Sequence, residues 1–254
     1  TSGIGRATAL ALQERGYTVY ELSRRAEGMP DIRHIVADIT KEETLQAAVE
    51  QVLAVEGRLD LVVNNAGFGI SGAIEFTDTQ EAQRLFDTLF FGMVRMNRCV
   101  IPLMRQQGHG RIVNISSVAA PVPIPFQAYY SAGKAAINAY TMALANELRS
   151  FGVTVCAVMP GDIKTGFTAA RHKIIDGDDI YQGRIGRSVQ RMEHDEQTGM
   201  DPAKVGRYIA AVASREGSHH PLYATRIDYK FFVFLTKVLP ARFLNWLIYQ
   251  LYGK

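Results

Sequence analysis

The sequence predicts an α/β fold, a single domain built on a doubly wound parallel sheet. Three observations carry that expectation. Short β-branched runs alternate with longer amphipathic ones through most of the chain. Several of the short runs are apolar at nearly every position, VTVCAVM at 153–159 among them, which suits strands covered by helices on both faces. A length of 254 residues suffices for one large core without disulfide or metal staples. No repeat, low-complexity tract or linker interrupts the alternation, so 1–254 reads as one domain.

The first element is an amphipathic helix, opened by Gly3 and Gly5 in TSGIGRATALALQERG. Glycines at a helix start let backbone amides approach a phosphate, and the helix dipole favours the negative charge. A strand normally precedes such a turn and none is present, so the expectation is that a first strand is missing from the supplied chain. YTVYELS (17–23) and RHIVADI (33–39) read as the next two strands. Helical spacing follows over 40–57, with Thr40 as N-cap and Glu43 completing a capping box. LDLVVNNAG (59–67) is an apolar strand ending in glycine, and 79–107 reads as one long helix. GRIVNISS (110–117) is a strand, QAYYSAGKAAINAY (127–140) a helix, and VTVCAVMPGD (153–162) a strand closed by Pro-Gly.

The stretch 165–200 is polar with weak periodicity and sits where a substrate lid would sit, after a strand end. Its MEHDE segment lacks a recognisable ligand spacing, so no metal site is expected. The formal net charge of +3 comes from 28 basic and 25 acidic residues without a basic block, which argues against a nucleic-acid partner. Cys99 and Cys156 each lie in an apolar run and read as buried free thiols, in keeping with a reducing, cytoplasmic setting.

Five stretches stand in one order: TSGIGRA, NNAG (64–67), NISS (114–117), YSAGK (130–134) and PGDIKT (160–165). Together they resemble the short-chain dehydrogenase/reductase family of nicotinamide-dependent oxidoreductases, over about residues 1–215. The resemblance implies a Rossmann fold and a catalytic set of Ser117, Tyr130 and Lys134. A free phenol, with a pKa of about 10, is a weak acid for proton exchange near neutrality. Lys134 stands at i+4 on the same helix face as Tyr130, where its charge would lower that pKa. In the family the lysine also holds the nicotinamide ribose, and the serine at the position of Ser117 hydrogen-bonds the substrate oxygen. Ser116 is expected to point away by strand alternation, and Tyr129 to pack about 100° round the helix.

Cofactor contacts implied by the resemblance are the turn at Ser2, Gly3, Ile4 and Gly5, Asp38 at the adenine, and Asn64, Ala66 and Gly67 near the adenosine ribose. Pro160, Gly161, Ile163 and Thr165 match a loop beside the nicotinamide. Where a carboxylate would select NAD(H), the chain has Ser23, Arg24 and Arg25. Arginine suits a 2′-phosphate, so NADP(H) is expected over NAD(H). One departure stands out: the family's fourth catalytic residue, an asparagine in a D-x-N-x-x-G pattern, is Leu89 in DTLFFG. That asparagine holds water in a proton relay, which leucine cannot do.

The tail, 228–254, is apolar but interrupted by Lys237, Pro240, Arg242 and Asn245, so it does not read as a membrane span. Pro240 divides it into two short helices, the second with Phe243, Leu244, Leu247, Ile248 and Leu251 on one face. That face either packs on the domain or on a twin subunit, or makes peripheral contact with a membrane or covers a substrate entrance. A homodimer or homotetramer is expected. The tail and NNAGFGISGAIE resemble the branch of 17-beta-hydroxysteroid and retinol dehydrogenases, which suggests an apolar alcohol or ketone, such as a steroid, as substrate. A non-steroid carbonyl is an alternative substrate, and a non-catalytic nucleotide-binding sensor or scaffold an alternative role.

Overall fold

The computed structural model describes residues 3–215, 217 and 220–254. In chain order the elements are α1 (Gly3–Gln13), β1 (Tyr20–Ser23), β2 (Arg33–Val36), α2 (Glu42–Glu56), β3 (Leu61–Asn64), β4 (Ile70–Ser71), α3 (Thr79–Phe86) and α4 (Gly92–Gln107). Then come β5 (Gly110–Ile115), α5 (Ala128–Glu147), β6 (Val153–Met159), α6 (Phe167–Ala170), β7 (His172–Lys173), α7 (Arg184–Gln197), α8 (Pro202–Ala213), β8 (Leu222–Ala224), α9 (Ile227–Val238) and α10 (Ala241–Ile248). Every strand pairing is parallel. The principal sheet runs β3-β5-β6-β8, β1 pairs with β2, and β4 with β7. Among the described residues no strand joins β1–β2 to the principal sheet.

Apolar strands bury both faces, as the sequence requires. On one face α1 and α8 pack through Leu12, Val205 and Ile209 onto Val113, Ile115 and Val158. On the other, α2, α4 and α5 bring Leu45, Val100, Met104 and Leu144 against Ile112 and Val155. Helix α8 approaches α1 so closely that a Cβ on Gly206 would fall 2.4 Å from the Ala7 carbonyl carbon.

Two local expectations are corrected. Helix α2 begins at Glu42, with Lys41 as N-cap and no side-chain cap, so Thr40 and Glu43 form no capping box. Thr40 instead gives its backbone N–H and hydroxyl to Asp38 Oδ1, at 3.0 and 2.8 Å, and the carboxylate closes the turn. The long helix of 79–107 is not continuous α-helix: residues Asp87–Phe91 form a π-helical turn between α3 and α4. Such a turn inserts one residue into the ladder and commonly marks functional sites.

The polar 165–200 region is more ordered in local structure than its weak periodicity suggested. Helix α7 buries Ile185, Val189 and Met192 against Ala73, with Phe76 and Tyr252 packed beside them. In MEHDE the charged groups are committed to local partners: Glu193 to Lys173, Asp195 to Arg191 and Tyr252, Glu196 to Arg171 and Thr168. Both cysteines are free; Cys156 is buried, whereas Cys99 is half-buried rather than buried.

Candidate active site

Ser23, Asn64, Ser117 and Pro160 stand at or just after the carboxyl ends of four parallel strands, the edge where open α/β sheets bind ligands. Hydrogen bonds from Ser116 N to Val158 O and from Val118 N to Pro160 O tie the ends of β5 and β6 together. Helix α5 then crosses this edge with Tyr130 and Lys134 on its inner side.

Lys134 is buried, and its Nζ donates to the Ile115 carbonyl at 2.7 Å. The same nitrogen lies 5.6 Å from the centre of the Tyr130 ring. Burial alone lowers the Lys134 pKa to about 7. Burial also pushes the Tyr130 phenol up to about 12, against the pull of a hydrogen bond from the Ser117 hydroxyl. This reverses the direction expected from the sequence: in the protein alone, loss of hydration outweighs any help the lysine gives the phenolate. Ser117 is half-buried and its Oγ accepts from Ala119 N at 3.1 Å. Ser116 points the other way, donating to the Lys134 carbonyl from within the core. Tyr129 packs with Ile70, Leu85 and Leu89.

The nucleotide candidates gather in the same region. Gly3 has φ of 52°, and a Cβ on it would lie 3.2 Å from Thr165 Cβ, so the glycine turn and the 160–165 loop meet. Ile4 and Gly5 follow in the first turn of α1, half-buried. Ser23, Arg24 and Arg25 close or follow β1, Asp38 follows β2, and Asn64, Ala66 and Gly67 close or follow β3. Arg24 and Arg25 are exposed. The Thr40 backbone N–H holds the Asp38 carboxyl below its usual range, helped by the Thr40 hydroxyl, Arg24 and Lys41. Asn64 spends its amide N–H groups on the frame, donating to Asn97 and Asn114 at 2.8 and 2.9 Å. Pro160 and Ile163 are buried, and Ile163 bridges Met200. Ser2 lies outside the described residues. This set fits a dinucleotide: a glycine in left-handed conformation beneath a close-approaching loop, a helix N-terminus for phosphate, and two exposed arginines at the far end.

Comparison with known proteins identifies the family. The family model for short chain dehydrogenase matches residues 1–174. The chain belongs to the short-chain dehydrogenase family. Among its relatives is a 3-ketodihydrosphingosine reductase of Bacteroides thetaiotaomicron, 38% identical over 250 residues, covering 97% of this chain and 90% of the relative. An NADPH-dependent 1-acyldihydroxyacetone phosphate reductase of Schizosaccharomyces pombe is 34% identical over 64% of this chain and 57% of its own. The crystal structure of a short-chain dehydrogenase from Streptomyces avermitilis superposes with a TM-score of 0.82 at 32% identity, covering 92% of this chain and 87% of that one.

In this short-chain dehydrogenase several groups near Tyr130 escaped the sequence reading. The Phe167 ring centre lies 5.7 Å from that of Tyr130. The Arg171 side chain is fully buried and ion-paired with Glu196, and its charge favours the Tyr130 phenolate while that of Glu196 opposes it. These residues sit 25 positions apart in a polar stretch, where spacing gives no signal. Tyr229 of α9 covers the 160–165 loop: a Cβ on Gly161 would fall 2.0 Å from its ring. Its hydroxyl accepts from Asp162 N at 2.9 Å and donates to Asp162 Oδ2 at 3.0 Å. Leu89, in the π-turn, is buried beside Gly67 and Gly133, whose missing side chains leave it room.

Proposed function

We propose that this chain is an NADPH-dependent reductase of the keto group of an amphiphilic long-chain substrate. The observation that carries the reading is the Tyr130 phenol, hydrogen-bonded to the Ser117 hydroxyl with Lys134 Nζ 5.6 Å from its ring centre. In the reductive direction the phenol gives its proton to the substrate's carbonyl oxygen.

Gly3, Ile4, Gly5, Asp38, Asn64, Ala66 and Gly67 would hold the adenosine and phosphates, Lys134 the nicotinamide ribose, and Pro160, Gly161, Ile163 and Thr165 the nicotinamide. When bound, NADPH supplies the hydride. The protein's own part is to hold the substrate carbonyl oxygen between the Ser117 and Tyr130 hydroxyls. The Tyr130 proton passes to that oxygen as the alcohol forms. Lys134, whose pKa of about 7 lets it exchange protons near neutrality, restores the tyrosine's proton with solvent. Leu89 cannot order a relay water, so that exchange runs without the family's asparagine.

Support for NADPH comes from Ser23, Arg24 and Arg25 at the carboxyl end of β1, and from the NADPH dependence of the Schizosaccharomyces relative. Support for a long-chain ketone comes from the Bacteroides relative, which aligns over nearly the whole chain including the tail. A steroid ketone has no such support, and the sensor or scaffold reading is disfavoured by the assembled Ser117, Tyr130 and Lys134.

The test is NADPH oxidation with 3-ketodihydrosphingosine, a steroid ketone and a small ketone. Turnover is expected with the first and little with the others. Tyr130→Phe should lose at least ~10²-fold in turnover and Tyr129→Phe far less. Arg24→Ala should weaken NADPH by ~10- to 100-fold, the equivalent of one charge-assisted hydrogen bond, and leave NADH nearly unchanged. Equal loss from the two tyrosine variants, or no turnover with any ketone, would sink the assignment.

A further inference from the structure

The tail leaves an apolar face uncovered. In α9, Ile227, Phe231, Phe234 and Val238 recur at i, i+4, i+7 and i+11, which places them on one side of the helix. All four are exposed, at 85, 59, 56 and 56%. Helix α10 adds Phe243 and Trp246, stacked with ring centres 5.8 Å apart and about half exposed. Its inner side is used differently: Ile248 is buried, and Leu244 and Leu247 are half-buried. The expected single face of the second helix is therefore split, with Leu244, Leu247 and Ile248 turned inward and Phe243 and Leu251 outward.

Charge decides what such a face meets. Between Arg226 and Lys254 there are five basic residues and one acid, Asp228, and Arg226 already pairs with that acid at 2.9 Å. Lys230 and Lys237 are exposed and, by helical position, border the α9 stripe. An aromatic stripe edged by lysines is the pattern of a helix lying in a lipid interface, where the rings enter the acyl boundary and the ammonium groups meet anionic head groups. A second copy packed on this face would bring two net-basic tails together. No helix among the described residues is long and apolar enough to cross a membrane.

We propose that α9 and the outward side of α10 form a docking surface for an anionic lipid bilayer. The tail then rests in the interface while Tyr229, on the inner side of α9, stays on the 160–165 loop. Lipid contact and the loop beside the active site thus share one helix. The proposal does not depend on the substrate assigned above, because binding to vesicles is measured without turnover.

Trp246 is the only tryptophan of the chain, and so reports on the tail alone. The full chain is mixed with vesicles of phosphatidylcholine, or of phosphatidylcholine with phosphatidylglycerol, and Trp246 emission and co-sedimentation are read. A blue shift and co-sedimentation are expected with the anionic vesicles and little of either with phosphatidylcholine alone. Phe231→Ser/Phe234→Ser and Lys230→Glu/Lys237→Glu should each weaken partition by ~10-fold or more. All four side chains are exposed, and an unchanged circular dichroism spectrum checks that the variants are folded. Unchanged emission with no co-sedimentation would overturn the proposal, as would equal partition of wild type and variants. A blue shift that grows with protein concentration in the absence of lipid would instead give the face to a second copy.

Discussion

Lys134 shows how little of a residue's chemistry is visible in its spacing. Its place at i+4 from Tyr130 was legible in YSAGK, and the structure puts both residues at the end of β5. The direction of the Tyr130 shift was not legible, because desolvation depends on what packs round the pair and not on the pair. Burial lowers Lys134 to about 7, so between there and its ordinary value of 10.5 the unfolded chain binds more protons than the folded one. Folding stability attributable to this group therefore rises as pH rises through that window. Arginine cannot shed its proton to relieve burial. Lys134→Arg should accordingly be less stable than wild type, with a gap that widens by up to about 2 kcal/mol between pH 7 and pH 9. Urea unfolding at the two pH values measures it; a gap that narrows would show that Lys134 stays charged in the fold.

At the scale of elements, apolar strands and amphipathic helices were readable because burial on two faces leaves a dense pattern, as in 153–159. The π-turn at Asp87–Phe91 was not, since a one-residue insertion in a helix leaves hydrophobic periodicity almost intact. Nor was α7, whose buried side is narrow and whose remaining residues are charged. The π-turn sets Leu89 against the glycine of NNAG: a Cβ on Gly67 would meet Leu89 Cδ2 at 2.4 Å. Leu89 is 2% exposed, with Ile70 and Leu85 around it. Gly67→Ala should thus destabilise by roughly 1–3 kcal/mol through overpacking. In a Leu89→Ala background, itself less stable because of the cavity, the added methyl should be nearly neutral. A double-mutant cycle by thermal or urea unfolding gives the coupling; additive losses would mean that Gly67 is required by its backbone and not by Leu89.

Over the whole molecule, the tail is fastened to the domain at several places, and the one on the 160–165 loop joins it to the active site. Near the chain's end, Arg184 Nε donates to the Gly253 carbonyl at 2.6 Å and the Tyr252 hydroxyl to Asp195 at 3.0 Å. At the start of α9, Tyr229 lies over Gly161 and exchanges two hydrogen bonds with Asp162. Burial raises both the Asp162 carboxyl and the Tyr229 phenol, the latter to about 12, so the contact is desolvated and any displacement leaves polar groups unpaired. Glycine at 161 is what lets the ring sit there, since a Cβ would fall 2.0 Å from Tyr229 Cζ. Gly161→Ala should therefore lift the start of α9, with a loss of roughly 1–3 kcal/mol. Trypsin should then cut faster after Lys230 and Lys237, while the fastening of Tyr252 and Gly253 keeps the end of the tail in place. Tyr229→Ala removes the ring and frees the same helix, so adding Gly161→Ala to it should change little further. Limited proteolysis followed by mass of the fragments, together with unfolding of the four proteins, reads both effects. If Gly161→Ala costs as much stability without the ring as with it, the glycine serves the loop's own backbone, and the tail is not what that position accommodates.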